Sequence, residues 1–179
     1  MKKLFLLIVV ILTIITSCTT VEFETPQPKN SVELSEFPKN ALGIYLDDNN
    51  DTLTILKKSF KYGNKKSTVF HMAETLTPNK IILKKYNNYF VLNLRDTSSI
   101  WNVIMFRKYN KNILVYYINL GEKNKDEIIN NLKNITATKE MKNEKGEIEK
   151  YIINPTEKEF KLLIDNEIFS KVTEFKKLN

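Results

Sequence analysis

Cys18 and His71 are the only cysteine and the only histidine in the 179 residues, and between them they restrict the available chemistry. A Ser-His-acid or Cys-His site needs its histidine beside a nucleophile. His71 instead stands between Phe70 and Met72 in a strand-like run, 67–72, where a histidine is a sheet residue before it is a catalyst. Asp47-Asp48-Asn49-Asn50-Asp51 offers oxygens at alternate positions, Asp47, Asn49 and Asp51, as a calcium loop would. The rest of that pattern fails. Its sixth position is Thr52 rather than glycine, and its twelfth is Lys58 rather than the bidentate glutamate. A hairpin turn is the better reading.

The glycines, at 43, 63, 121 and 146, are isolated, so there is no phosphate-cradling loop. Asp126, Glu127, Glu157 and Glu159 fall at predicted helix starts, where the helix dipole accommodates them without a catalytic role. A hydrolase built on paired carboxylates is thus the least supported function class. No cofactor and no metal site is expected. The many aromatics of the strands read as core, and Trp101, Tyr116 and Tyr117 are the candidates for contact with a ligand or partner.

The cysteine has another use. Met1-Lys2-Lys3 is a short positive segment, followed by an apolar run from Leu4 to Ile15 broken only by Thr13. That run is about a dozen residues where spanning a bilayer takes roughly 20, so it reads as a signal peptide, residues 1–17. Ile15-Thr16-Ser17-Cys18 resembles the lipobox of bacterial lipoproteins: a branched apolar residue, two small residues and the cysteine. The resemblance implies that Cys18 is alkylated by diacylglycerol, that the peptide before it is removed, and that the freed amine takes a further acyl chain such as palmitate. Two chains make such anchoring stable, since one alone is marginal. It also implies an envelope location, the outer membrane before the inner, because Thr19 stands where the retention signal has Asp.

The elements that would carry a site begin after a proline-containing stretch. Residues 18–38, with Pro26 and Pro28, read as the lipidated N-terminus and a flexible tether, and 39–179 as one globular domain. Short β-rich runs separated by Asn, Asp, Gly and Lys predict strands over 43–46, 52–57, 67–72, 80–85, 89–95, 101–108 and 113–120. Turns are expected at 48–51, 62–64, 87–88 and 110–112. Ile128, Ile129 and Leu132 at helical spacing predict a helix over 125–134, with Asn124 as cap. Thr156 with Glu159 forms a capping box ahead of Phe160, Leu163 and Ile164, predicting a second helix over 156–166. A hairpin over 135–142 and 147–153 lies between the helices, and a closing strand over 171–176 follows.

The fold class is therefore mainly β with two helices. Its sheet is antiparallel, either open and curved or a barrel, and is packed with the C-terminal helix. Both faces of 101–106 and 113–120 are apolar, which places that hairpin centrally with a helix on its second side. Gly43-Ile44-Tyr45 opening a run of strands is similar in outline to the lipocalin-like barrels, with Tyr45 where that family has Trp. The net charge of +7 falls once Lys2 and Lys3 leave with the signal, and the lysines form no long run, so nucleic acid is not an expected partner. The functional expectation is a lipid-anchored, non-catalytic domain that binds a small apolar ligand or a protein. The alternative is an inhibitor or immunity-type lipoprotein that caps a toxic or lytic enzyme.

Overall fold

A computed structural model describes residues 19–63, 71–121 and 124–178. The signal peptide and Cys18 lie outside these residues, as does the 67–70 part of one expected strand. Among the described residues thirteen strands and two α-helices follow in order, with a 3-10 turn at Lys39–Ala41 before the third strand: β1 (Thr20–Phe23), β2 (Glu33–Leu34), β3 (Gly43–Leu46), β4 (Thr52–Ile55), β5 (Ser59–Gly63), β6 (His71–Thr75), β7 (Ile81–Tyr86), β8 (Tyr89–Arg95), β9 (Trp101–Tyr109), β10 (Asn112–Tyr117), α1 (Lys125–Ile135), β11 (Thr138–Lys142), β12 (Ile148–Ile153), α2 (Glu157–Asp165) and β13 (Ser170–Lys177).

Ten strands form one antiparallel, strongly curled half-barrel in the order β2-β7-β8-β9-β10-β13-β3-β4-β5-β6. It is loosely lipocalin-like, but β2 and β6 end the path without meeting. The β3–β4, β7–β8 and β9–β10 hairpins close on asparagines of positive φ, Asn50, Asn87 and Asn110, and Asn79 serves the turn ahead of β7. Positive φ is a conformation that Asn tolerates better than most side chains. Gly43 opens β3 at φ +145°, where the aliphatic chain of Lys177 leaves only 3.1 Å for a Cβ. The remaining strands make an annex: β11 pairs antiparallel with β12, and β12 runs parallel to β1. A single register pair, Phe23 with Trp101, joins β1 to β9. Trp101 also pairs with β8, and Met105 and Phe106 pair with both β8 and β10, so β1 and β10 share the other edge of β9 in succession.

The central strands alternate between two cores. Val91, Val103, Met105, Leu114 and Tyr116 face one side with α1, α2 and the annex. Leu92, Phe106, Ile113 and Phe175 face the concave side with Tyr45, Ile55 and Phe60. The helices cover the first side as their periodicity requires, through Ile129 and Leu132 of α1 and Phe160 and Leu163 of α2. The α2 capping box is formed: Thr156 Oγ1 accepts from the Glu159 N–H, and the Thr156 N–H donates to Glu159 Oε2 at 2.7 Å. Asn124 occupies the N-cap of α1 but makes no side-chain capping bond.

The flexible tether expected over 18–38 is corrected for residues 19–37, which are built into the fold. Val21 and Phe23 are buried in the helix-side core, and Phe37 is buried in the concave one. Between them the chain is fastened to the sheet by fully buried Asn93. Its Oδ1 accepts from the Gln27 N–H at 2.6 Å, and its Nδ2 donates to Gln27 O at 2.9 Å. Lys84 Nζ donates to the carbonyls of Pro26 and Pro28. The physical reason is that prolines prevent regular structure but not burial, and two polar side chains of β7 and β8 satisfy the carbonyls and the amide that a strand would otherwise pair.

Candidate functional site

Two cavities open on opposite faces of β9 and β10, and adjacent residues of one strand serve them separately. Tyr117 lines the concave cavity and Tyr116 the cleft under the helices. The β10–β13 register shifts between Val115 and Tyr116, with Val172 as the extra residue on β13, just where the two side chains diverge.

The concave cavity, about 460 Å³, has walls of Phe37, Ile55, Phe60, Leu92, Phe106 and Phe175. Its aromatic floor is ordered: Phe90 stacks on Phe106 at 5.3 Å, Phe37 meets Phe60 edge-on at 6.1 Å, and Tyr62 meets Phe175 edge-on at 5.6 Å. Exposed Met72 and Tyr117 stand at its margin. One carboxylate is built into the wall. Asp47 is 7% exposed, and its Oδ1 accepts from the Asn49 and Asp51 N–H groups while Oδ2 accepts the Tyr62 hydroxyl at 2.9 Å. Burial, then the Asp47 carboxylate, pushes the Tyr62 phenol far up, so it stays protonated and donating. The Asp47–Asp51 segment is thus the β3–β4 hairpin turn: Asp47 Oδ1 is taken by the turn's own amides, and Asp48 Oδ1 accepts from Lys176 Nζ. Among the described residues no group of three His, Cys, Asp or Glu side chains could hold a metal.

The cleft on the helix side, about 1040 Å³, lies between the ends of β9 and β10, the first half of α1 and the 164–171 connection. Its floor is Arg107 with Tyr89 and Tyr116. The guanidinium lies 5.7 and 5.6 Å from the two ring centroids, and Nε donates to Tyr116 Oη at 2.9 Å. That hydrogen bond, outweighing partial burial, raises the Arg107 pKa further.

Of the sequence candidates, Tyr116 and Tyr117 each line a cavity, but not the same one. Trp101 lines neither. It is 5% exposed, at the junction of β1, β8 and β9, with the Arg95 guanidinium 5.7 Å from its ring, and its work is packing. His71 is the first residue of β6. Arg107 was not among the sequence candidates, although a signal was present: only two of the 28 basic residues are arginine, and one follows Trp101, Val103 and Met105 on the buried face of β9. Among the described residues no helix is long and apolar enough to cross a membrane.

Compared with protein-family models, with curated proteins and with solved structures, the chain matches none.

Proposed function

We propose that this is a lipid-anchored protein of the bacterial envelope whose half-barrel holds a small, neutral, apolar ligand. The observation that carries the binding role is the concave cavity, which falls in the size range of small-molecule sites and has their composition: mostly apolar walls with few polar groups. Such walls exclude water and reward apolar area at about 25 cal/mol per Å². A negative Asp47, with its oxygens already engaged, favours a neutral ligand over a carboxylate. Binding rather than catalysis suits the site, since its one carboxylate is committed to a turn.

The anchor rests on the resemblance of Ile15-Thr16-Ser17-Cys18 to the lipobox, and the outer membrane on Thr19 after it. In this reading the acyl chains join the residue next to Thr19, and Thr19 itself is tied into the fold. Thr19 Oγ1 donates to Ile148 O and accepts from Lys125 Nζ, so the end of the domain carrying Ile148 and Lys125 faces the headgroups with no spacer.

Titration of the detergent-purified chain with N-phenyl-1-naphthylamine tests the cavity. Saturable fluorescence enhancement is expected, at least tenfold weaker in Val115→Trp, whose indole fills the space beside Phe106. No uptake, or equal uptake by the variant, would overturn it. The anchor is tested apart from this: Cys18→Ala should abolish the acyl mass and leave the detergent phase, and an unacylated parent would refute lipidation while leaving the cavity reading intact.

A further inference from the structure

We propose that the helix-side cleft is a second binding site, specific for a small carboxylate held by Arg107. The cleft is separate from the concave cavity and from the anchor. The helix-facing row of β9 runs Trp101, Val103, Met105, all buried, and then places a half-buried guanidinium ahead of exposed Tyr109. A half-buried charge is costly unless it is paired. Among the described residues Arg107 makes no ion pair. The other charged groups of the cleft wall are Glu127, Asp165, Glu167 and Lys171. Asp165 is turned to Lys161 and Lys171 to Glu174, while Glu127 and Glu167 are exposed and form no salt bridge among the described residues.

The guanidinium is nonetheless held in place. Tyr89 and Tyr116 meet edge to face at 5.5 Å, Arg107 lies against both rings, and its Nε–H is fixed on Tyr116 Oη. Of the five N–H donors of an arginine, the four on the terminal nitrogens make no hydrogen bond among the described residues. Two of them in parallel match the two oxygens of a carboxylate. In a chain that uses lysine nearly everywhere else, this planar fork is the feature lysine could not supply.

A phosphate would match the fork too, but its second charge would meet the field of Glu127, Asp165 and Glu167, so a monoanion fits better. Around the fork stand exposed amides of Asn119, Asn124 and Asn131. They suit a ligand body rich in hydrogen-bonding groups, either hydroxylated or peptide-like. A carboxylate with such a body is the common chemistry, and the two bodies are separate arms of the test.

The chain has only two arginines, Arg95 and Arg107, so their two side-chain Nε–H resonances are assignable by single substitution. The full chain in detergent would be titrated with sodium glucuronate and with N-acetylalanine, each against its neutral counterpart, glucose and N-acetylalaninamide. The expected result is saturable movement of the Arg107 resonance, with Arg95 unmoved, for at least one carboxylate and at least tenfold weaker binding of its counterpart. By calorimetry, Arg107→Lys, which keeps the charge on the rings, should bind that carboxylate at least tenfold more weakly, and Arg107→Met should abolish binding. Overturning results are no movement with either carboxylate, equal movement with a neutral counterpart, or unchanged affinity in Arg107→Lys. A Glu122→Gln variant guards against an internal partner. If it gains carboxylate affinity and moves the Arg107 resonance without ligand, Glu122 is the counter-ion and the proposal fails.

Discussion

The two faces of the β8-β9-β10 strands carry equally apolar side chains and have different fates. On the helix side the rows Tyr89-Val91-Asn93 and Trp101-Val103-Met105-Arg107 are covered by elements from elsewhere in the chain: α1, α2, the annex and the 24–30 segment pinned by Asn93. On the concave side the half-barrel must fill itself. Its ten strands curl but do not close, and side chains of Phe and Ile size leave about 460 Å³ between them. Where a foreign element supplies the filling, it can be shaped to the sheet and packed to crystal-like density. A sheet that faces its own other half is limited by strand curvature. Among the described residues the helix side opens in a cleft over Arg107, and exposed Asn119, Asn124 and Asn131 line it.

The sharpest way to break this comparison is a pair of truncations. Phe160 is fully buried between Tyr86 and Phe169, so Phe160→Ala should lose about 3–5 kcal/mol in urea denaturation. Phe106→Ala only enlarges an existing cavity and should lose clearly less. Equal losses would mean that the concave side is packed as tightly as the helix side. Next in size is Asn93→Leu, which strands the Gln27 amide and carbonyl. A loss of about 2–3 kcal/mol is expected, with faster hydrogen exchange confined to residues 24–30. Unchanged exchange there would show that the segment is held by Lys84 alone.

Thr156→Ala removes the α2 cap and should cost about 1 kcal/mol, read by thermal melting, with Thr156→Ser restoring most of it. The smallest effect concerns the joint between the annex and the half-barrel, where Lys150 bridges Glu22 and Asp96. Burial pulls the Asp96 carboxyl up. Hydrogen bonds from Ser98 and Ile100, with the Lys150 charge, outweigh this and hold it below its usual 3.8. A carboxyl with a lowered folded pKa contributes stability above 3.8 that is lost as pH falls through the folded value. The melting-temperature gap between parent and Asp96→Asn should therefore be present at pH 6 and close on acidification below 3.8. A gap that persists unchanged at low pH would assign the effect to geometry rather than charge.

Much of the half-barrel was legible in advance. Alternation in 89–95 and 101–109, asparagine turns, the Thr156–Glu159 capping box and the stripes of both helices are local signals, and each produced its element within a residue or two. What was misread has both non-local and local causes. β1 is four residues long, and its partner β12 lies near the far end of the chain in parallel register, so nothing beside Val21 and Phe23 announces it. The alternation of Phe60 and Tyr62 in β5 was present, but Gly63 and Asn64 read as a turn that cut it short. Trp101 looked like a contact residue because an exposed and a buried indole are identical in sequence.

The strand-and-helix grammar could be read from the sequence alone, because it depends on residue type and on neighbours within one or two turns, and so could the presence of a single histidine and a single cysteine. The sequence also carries the four residues at 15–18 on which the anchor proposal rests. It took the tertiary structure to show that Tyr116 and Tyr117 serve different cavities, that Asp47 Oδ1 is taken by its own turn, and that Arg107 lies against two tyrosine rings in a cleft. The physical reason is that alternation along a strand says which residues share a face, whereas what covers that face is settled by distant segments competing for the same apolar surface.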